Sequence, residues 1–108
     1  MKVFIAVVPP GGGETDYSLE AELPAMPQAG DYISVSNQEA GGSEDFIVKR
    51  SWWILKRPND NDGKPTLEQA GVVAEMAYGP FSSESHKKAV KGYENRGKKA
   101  ETFEATAY

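Results

Sequence analysis

The sequence predicts an α+β domain: a bent, mainly antiparallel sheet of about five or six strands, partly closed toward a barrel, with one helix in the C-terminal third packed on it and a final strand after the helix. Three observations predict this. Apolar runs of strand length recur from Val3 onward, proline and glycine clusters separate them, and a single segment near the C-terminus has helical spacing with end signals on both sides. The 108 residues leave room for one domain, taken as 1–108, with 9–16, 37–44 and 58–66 expected to be flexible loops.

Val3-Phe4-Ile5-Ala6-Val7-Val8 is a continuous β-branched and aromatic run, the pattern of a strand covered on both faces, and Pro9 to Gly13 ends it. Tyr17 to Leu23 alternates, with Tyr17, Leu19, Ala21 and Leu23 on one face and Ser18, Glu20 and Glu22 on the other. Pro24, Pro27 and Gly30 mark a turn, after which Asp31 to Ser36 points Ile33 and Val35 inward. Polar Asn37 to Ser43 reads as a hairpin loop leading to a strand from Asp45 to Lys56. Twelve residues exceed a typical strand, and the run Trp52-Trp53-Ile54-Leu55 breaks the alternation set by Phe46 and Val48, so a bulge is expected near Arg50-Ser51. Asn59 to Gly63 is dense turn chemistry. A strand follows from Gly71 to Tyr78, and Thr66 with Gln69 allows a short helix before it.

The helix is expected from about Ser83 to Arg96. Ser82 or Ser83 can cap it, Glu84 suits its first turn, Arg96, Lys98 and Lys99 suit its end, and Gly97 stops it. His86, Ala89, Val90 and Tyr93 form its buried stripe, while Lys87, Lys88 and Lys91 make a basic, solvated face. Phe103, Ala105 and Ala107 alternate in the final strand, so strand, helix and strand fit a right-handed crossover between parallel strands.

Composition narrows the function classes. Leu, Ile, Val and Phe are only 20 of the residues, but eleven aromatics and twelve alanines supply the remaining apolar surface, and a net charge of −4 is too modest for a disordered chain. The absence of cysteine removes disulfides, thiolate metal sites and thiol catalysis, and the lone His86 gives no reason to expect a metal. No cofactor motif is read. Val3–Val8 is too short for a signal-peptide core and no segment approaches a membrane span, so a cytoplasmic protein without membrane contact is expected.

The charges are segregated. From Val3 to Val48 there are eight acids and no Lys or Arg; from Lys49 to Lys99 there are eleven bases against six acids. Either the two halves pair within the fold, the plainer expectation, or they form opposed patches that steer a partner or promote head-to-tail self-association.

Other motifs reduce to structure. Gly11-Gly12-Gly13 follows a strand but lacks the Gly-Lys-Ser/Thr ending of a phosphate loop, and Asp60-Asn61-Asp62-Gly63 lacks the first ligand and the closing Glu of a calcium loop. Ser82, Ser83, Ser85 and His86 show no nucleophile elbow and are explained by capping and packing. Trp52-Trp53 is different, because neighbouring indoles on a strand point to opposite faces. One can enter the core; the other needs a cover, which the helix, the long loop, a second subunit or a ligand would provide. Lys49, Arg50, Lys56 and Arg57 bracket the pair.

Leu23-Pro24-Ala25-Met26-Pro27-Gln28-Ala29-Gly30-Asp31-Tyr32-Ile33, with Phe46-Ile47-Val48 and Trp52-Trp53, resembles a pattern in small bacterial proteins with strand-rich, barrel-like cores, which implies a proline-gated turn into a strand. Gly79-Pro80-Phe81-Ser82-Ser83, the following helix, Gly97 and the last strand resemble one half of a SPOR domain, a family that binds peptidoglycan; the second half of that repeat is missing, and no binding residues are carried over. The function expected is a small non-catalytic binding or regulatory module acting through protein contacts, as a homodimer or on a protein partner, with Trp52, Trp53, Lys49, Arg50, Lys56 and Arg57 as candidate contacts. A nucleic-acid binder using Trp52, Trp53 and the flanking bases is the alternative, disfavoured by the acidic total. A small-molecule site or a carboxylate enzyme is the third.

Overall fold

The computed structural model describes residues 1–37, 42–59 and 63–104. Five strands, β1 (Lys2–Val8), β2 (Tyr17–Glu22), β3 (Tyr32–Asn37), β4 (Gly42–Lys56) and β5 (Thr66–Met76), are followed by one helix, α1 (Glu84–Glu94). The strands form a mixed sheet in the order β2-β1-β5-β4-β3. Its single parallel contact joins β1 to β5, the other three are antiparallel, and the sheet curls into a half-barrel with α1 packed on it, in agreement with the predicted class.

The apolar spacing decides which face is inside. Val3, Ile5 and Val7 of β1 stand opposite Val72 and Ala74 of β5, and through them Val48 and Phe46 of β4, to make the core. Tyr17, Leu19 and Ala21 of β2 and Ile33 and Val35 of β3 extend that inner face to the two sheet edges, where they are half-buried. The edges flank an open seam, and the Tyr17 hydroxyl of β2 reaches across it to β4 by donating to Glu44 Oε2 at 2.5 Å.

β4 starts three residues earlier than the sequence pattern suggests, and its expected bulge falls at Lys49, between Val48 and Arg50. The extra residue restores alternation, so Arg50 and Trp52 face outward while Ser51 and Trp53 continue the inner face. β5 starts five residues earlier than expected, at Thr66. Pairing with β4 along this segment outweighs the Thr66 and Gln69 cap, which is worth only about 1 kcal/mol. Of the expected loops, 9–16 is a turn held by Gly12 N–H to Pro9 O at 2.9 Å and by Asp16 N–H to Val7 O at 2.7 Å. Asn37, Gly42 to Glu44 and Thr66 belong to strands, while 38–41 and 60–62 lie outside the described residues.

α1 is two residues shorter at its C-terminal end than expected. Ser83 is its N-cap and accepts from the His86 N–H, and Gly97, at φ +90°, takes the left-handed conformation that ends the turn after it. His86 and Val90 are buried and Tyr93 is half-buried, but Ala89 is exposed: the helix meets the half-barrel along a narrower stripe than its spacing implied. Lys87, Lys88 and Lys91 face solvent. The expected final strand is reduced, among the described residues, to one parallel bridge between Tyr78 and Thr102, in the direction a crossover requires; Ala105 and Ala107 lie outside them.

Candidate functional site

Neighbouring strands stop short of the β4–β5 hairpin. β3 pairs with β4 only as far as Ile47, and β1 pairs with β5 only from Gly71 to Glu75. Trp53 to Lys56 and Thr66 to Gln69 therefore run past the neighbouring strands as a two-stranded arm, with buried Ala70 at its root. It makes the molecule long: the principal extent is 53 Å and the radius of gyration 16.1 Å, against about 13 Å for a compact chain of this size.

The arm separates the two tryptophans. Trp52 lies on the outer face opposite Gly71, with its indole packed so closely over the glycine that a Cβ there would overlap the ring. Glycine at 71 is thus what lets Trp52 lie half-buried against the sheet. Trp53 is on the inner face opposite Ala70 and is 53% exposed, because the arm has already left the core. Leu55 and Leu67, paired on the same face, are 57% and 47% exposed, and Ile54 is 43% exposed on the other. Leu67 was missed in the sequence because it lies before the expected start of its strand.

The bracketing bases do not form one surface. Lys49 turns back to ion pairs with Glu75 and Glu101. Arg50 and Lys56 stay exposed on the outer side with Trp52, and Arg57 is exposed beyond the strand end. The helix lysines lie on the solvent side of α1, whose other side meets Met76 at the end of β5 away from the arm, and β5 is roughly 33 Å long. Lys87 pairs with Glu84. Among the described residues, no ion pair joins an acid of the 3–48 segment to a base of the 49–99 segment, so the expected internal pairing of the two halves is not formed.

Beside the root of the arm, the seam widens into an open groove of about 990 Å³. Ile5 floors it, Ala21 and Leu23 wall one side, Ile33 and Val35 the other, and Met26 closes an end. Exposed Asp31 is the acid of its lining; Glu20 and Glu22 are on the other face of β2, where they pair with Lys2 and the N-terminal amine.

A polar cluster under the helix start is more enclosed. Asp45 is fully buried and accepts from the Ser82 hydroxyl, which itself accepts from the Gly79 N–H at 2.9 Å. His86 Nε2 lies 2.7 Å from Ala77 O and 3.4 Å from Asp45 N. One nitrogen cannot donate and accept at once, and the shorter contact, to an obligatory acceptor, makes Nε2 the donor. Ser82 and His86 therefore serve different partners, and their contacts are those of a structural tie rather than a nucleophile and its base. The glycine turn is likewise occupied, since Gly11 N–H donates to Glu75 Oε1 at 2.9 Å. No group of three or more His, Asp or Glu suited to a metal is found among the described residues, and no helix there is long and apolar enough to cross a membrane.

Burial, and then the carboxyl of Asp45, push the Tyr32 phenol up from 10.0 to about 12. Burial and Glu94 do the same for Tyr78, again to about 12, and burial and Glu44 raise Tyr17 further. Each group keeps its proton longer folded than unfolded. The stability they contribute is therefore fully present below pH 10 and is lost as pH rises through about 12. The urea midpoint is expected to fall across that window, and Tyr32→Phe/Tyr78→Phe to flatten the fall; an equally steep fall in the double variant would contradict it.

Comparison with protein-family models, curated proteins and solved structures finds no match to this chain. Function is therefore argued from geometry alone.

Proposed function

We propose that the chain is a small, non-catalytic binding or regulatory module that acts through protein contacts, with the β4–β5 arm as its contact surface. The carrying observation is that Trp53, Ile54, Leu55 and Leu67 are all more than two-fifths exposed on one ribbon that the core does not cover. Scattered exposed apolar residues are ordinary; four large ones on a single projecting element are a contact surface. Aromatic anchors supply much of the energy at such surfaces, and a two-stranded ribbon holds them with little entropy left to lose.

A photoreactive phenylalanine at position 53, with position 88 on the solvated side of α1 as the control, tests the reading in cells. Protein adducts are expected at 53 and not at 88. No adduct at 53, or adducts to nucleic acid, overturns it.

A further inference from the structure

We infer that the free edge of β4 along the arm takes up an extended strand of another protein, one with acidic residues on one face and apolar residues on the other. The inference rests on the arm being a protein-contact surface, and adds the shape and chemistry of what it holds. Main-chain pairing, face and local charge carry it together.

Val48 is the last residue of β4 held on the β3 side: its N–H donates to Asp31 O at 2.9 Å and its C=O accepts from Gly30 N–H at 2.8 Å. Within a strand the side-chain face and the hydrogen-bonding side alternate together, so inward residues aim their N–H and C=O the same way. Ser51, Trp53 and Leu55 are the inward residues beyond the bulge. They aim their main-chain groups along the line of β3, where no main-chain partner meets them among the described residues. The chain's own entry to β3 leaves that line, because the Gln28–Asp31 turn, with Gly30 at φ +95°, reverses it, and Pro24 to Pro27 before the turn line the groove. Unpaired donors and acceptors at strand spacing are matched by another strand. The arm's other edge is less suited, since the register of β5 breaks at Glu68 and a bulge spoils regular pairing.

Arg50 and Lys56 decide which strand. Both are exposed on the outer face, neither forms an ion pair among the described residues, and β4 holds no acid from Phe46 to Lys56. Across on β5 they face Val73 and Thr66, so the place for an opposing charge is on the incoming strand. A second copy paired along this edge and centred on Trp53 sets Arg50 against Lys56 if antiparallel, and each base against itself if parallel. Like charges directly opposite are destabilising, so the two bases turn a second copy away and favour an acidic partner. Apolar residues on the partner's inner face then lie beside Trp53 and Leu55.

The test uses the full chain and two labelled peptides, Glu-Val-Thr-Val-Thr-Val-Glu and the same peptide with Lys at both ends. By fluorescence anisotropy the acidic peptide is expected to bind, and the basic one at least about tenfold more weakly. Arg50→Glu/Lys56→Glu should reverse that preference. Ser51→Pro removes an edge N–H and keeps every apolar side chain of the arm; it should weaken binding about tenfold, while Ser51→Ala changes it little. Circular dichroism checks folding, and should Ser51→Pro not fold, the charge-reversed variant decides.

No binding of the acidic peptide at about 1 mM, equal binding of both peptides, or a charge-reversed variant that keeps the native preference overturns the inference. So does a native chain that sediments as a dimer which Ser51→Pro dissociates, since the occupant is then a second copy. Protein adducts at position 53 that persist in the Ser51→Pro background overturn the strand and leave the arm as a protein contact. Absence of adducts at position 53 in the otherwise native chain removes both readings.

Discussion

Phe46→Ala is expected to destabilise the protein by about 3–5 kcal/mol, lowering its thermal midpoint by more than about 10 °C. Phe46 is fully buried and the largest side chain so enclosed. It stands opposite Met76 on β5 and Ile33 on β3, and meets the His86 ring edge-on at a centroid distance of 6.3 Å. One ring thus joins three strands and the helix, and its removal leaves a cavity that those elements cannot all collapse into. Phe81, 68% exposed, is the control, and Phe81→Ala should change stability by less than about 0.5 kcal/mol. Equal losses from the two substitutions in denaturant titrations would contradict this account of the core.

Asp45→Ala is the next largest, at about 2–3 kcal/mol. The Asp45 carboxyl holds the Ser82 hydroxyl, and through it the Gly79 turn that aims the chain into α1. Its backbone carbonyl also accepts from the Ala77 N–H at 3.1 Å. Alanine keeps the backbone bond but leaves the half-buried Ser82 hydroxyl without an acceptor for its proton. Asp45→Asn retains an acceptor oxygen of nearly the same shape and should recover part of the loss. An asparagine variant no more stable than alanine would show that the cluster is not organised around that acceptor.

Neither substitution would be chosen from the sequence alone. Phe46 is one of several inward apolar residues on its strand. Asp45 begins a strand after a polar loop, where an exposed carboxylate is the natural expectation; it is buried because β5 and the segment leading into α1 fold over it. His86 was legible as part of a buried stripe, since helical spacing is local, but the Ala77 carbonyl it serves was not. The same limit applies to the tryptophans. Alternation requires that they part to opposite faces; that Trp52 rests on Gly71, and that Trp53 stands uncovered, depends on how far β1 and β3 reach along their partners.

The sequence by itself determined the fold class, the apolar faces of most strands, the helix with its Ser83 cap and Gly97 stop, and the separation of acids from bases along the chain. Those features follow from periods of two and 3.6 residues and from backbone preferences that each segment carries alone. Tertiary structure decided the strand order, the position of the bulge, the burial of Asp45, the projection of the arm and the placing of β2 and β3 on either side of a groove. Strand pairing is set by contacts between residues far apart in the chain, and the end of one strand exposes or covers the next. That is also why opposite charges so clearly separated along the sequence fold without meeting among the described residues. The curl of the sheet holds them at different places, and local partners such as Lys2 and the N-terminal amine take Glu20 and Glu22 first.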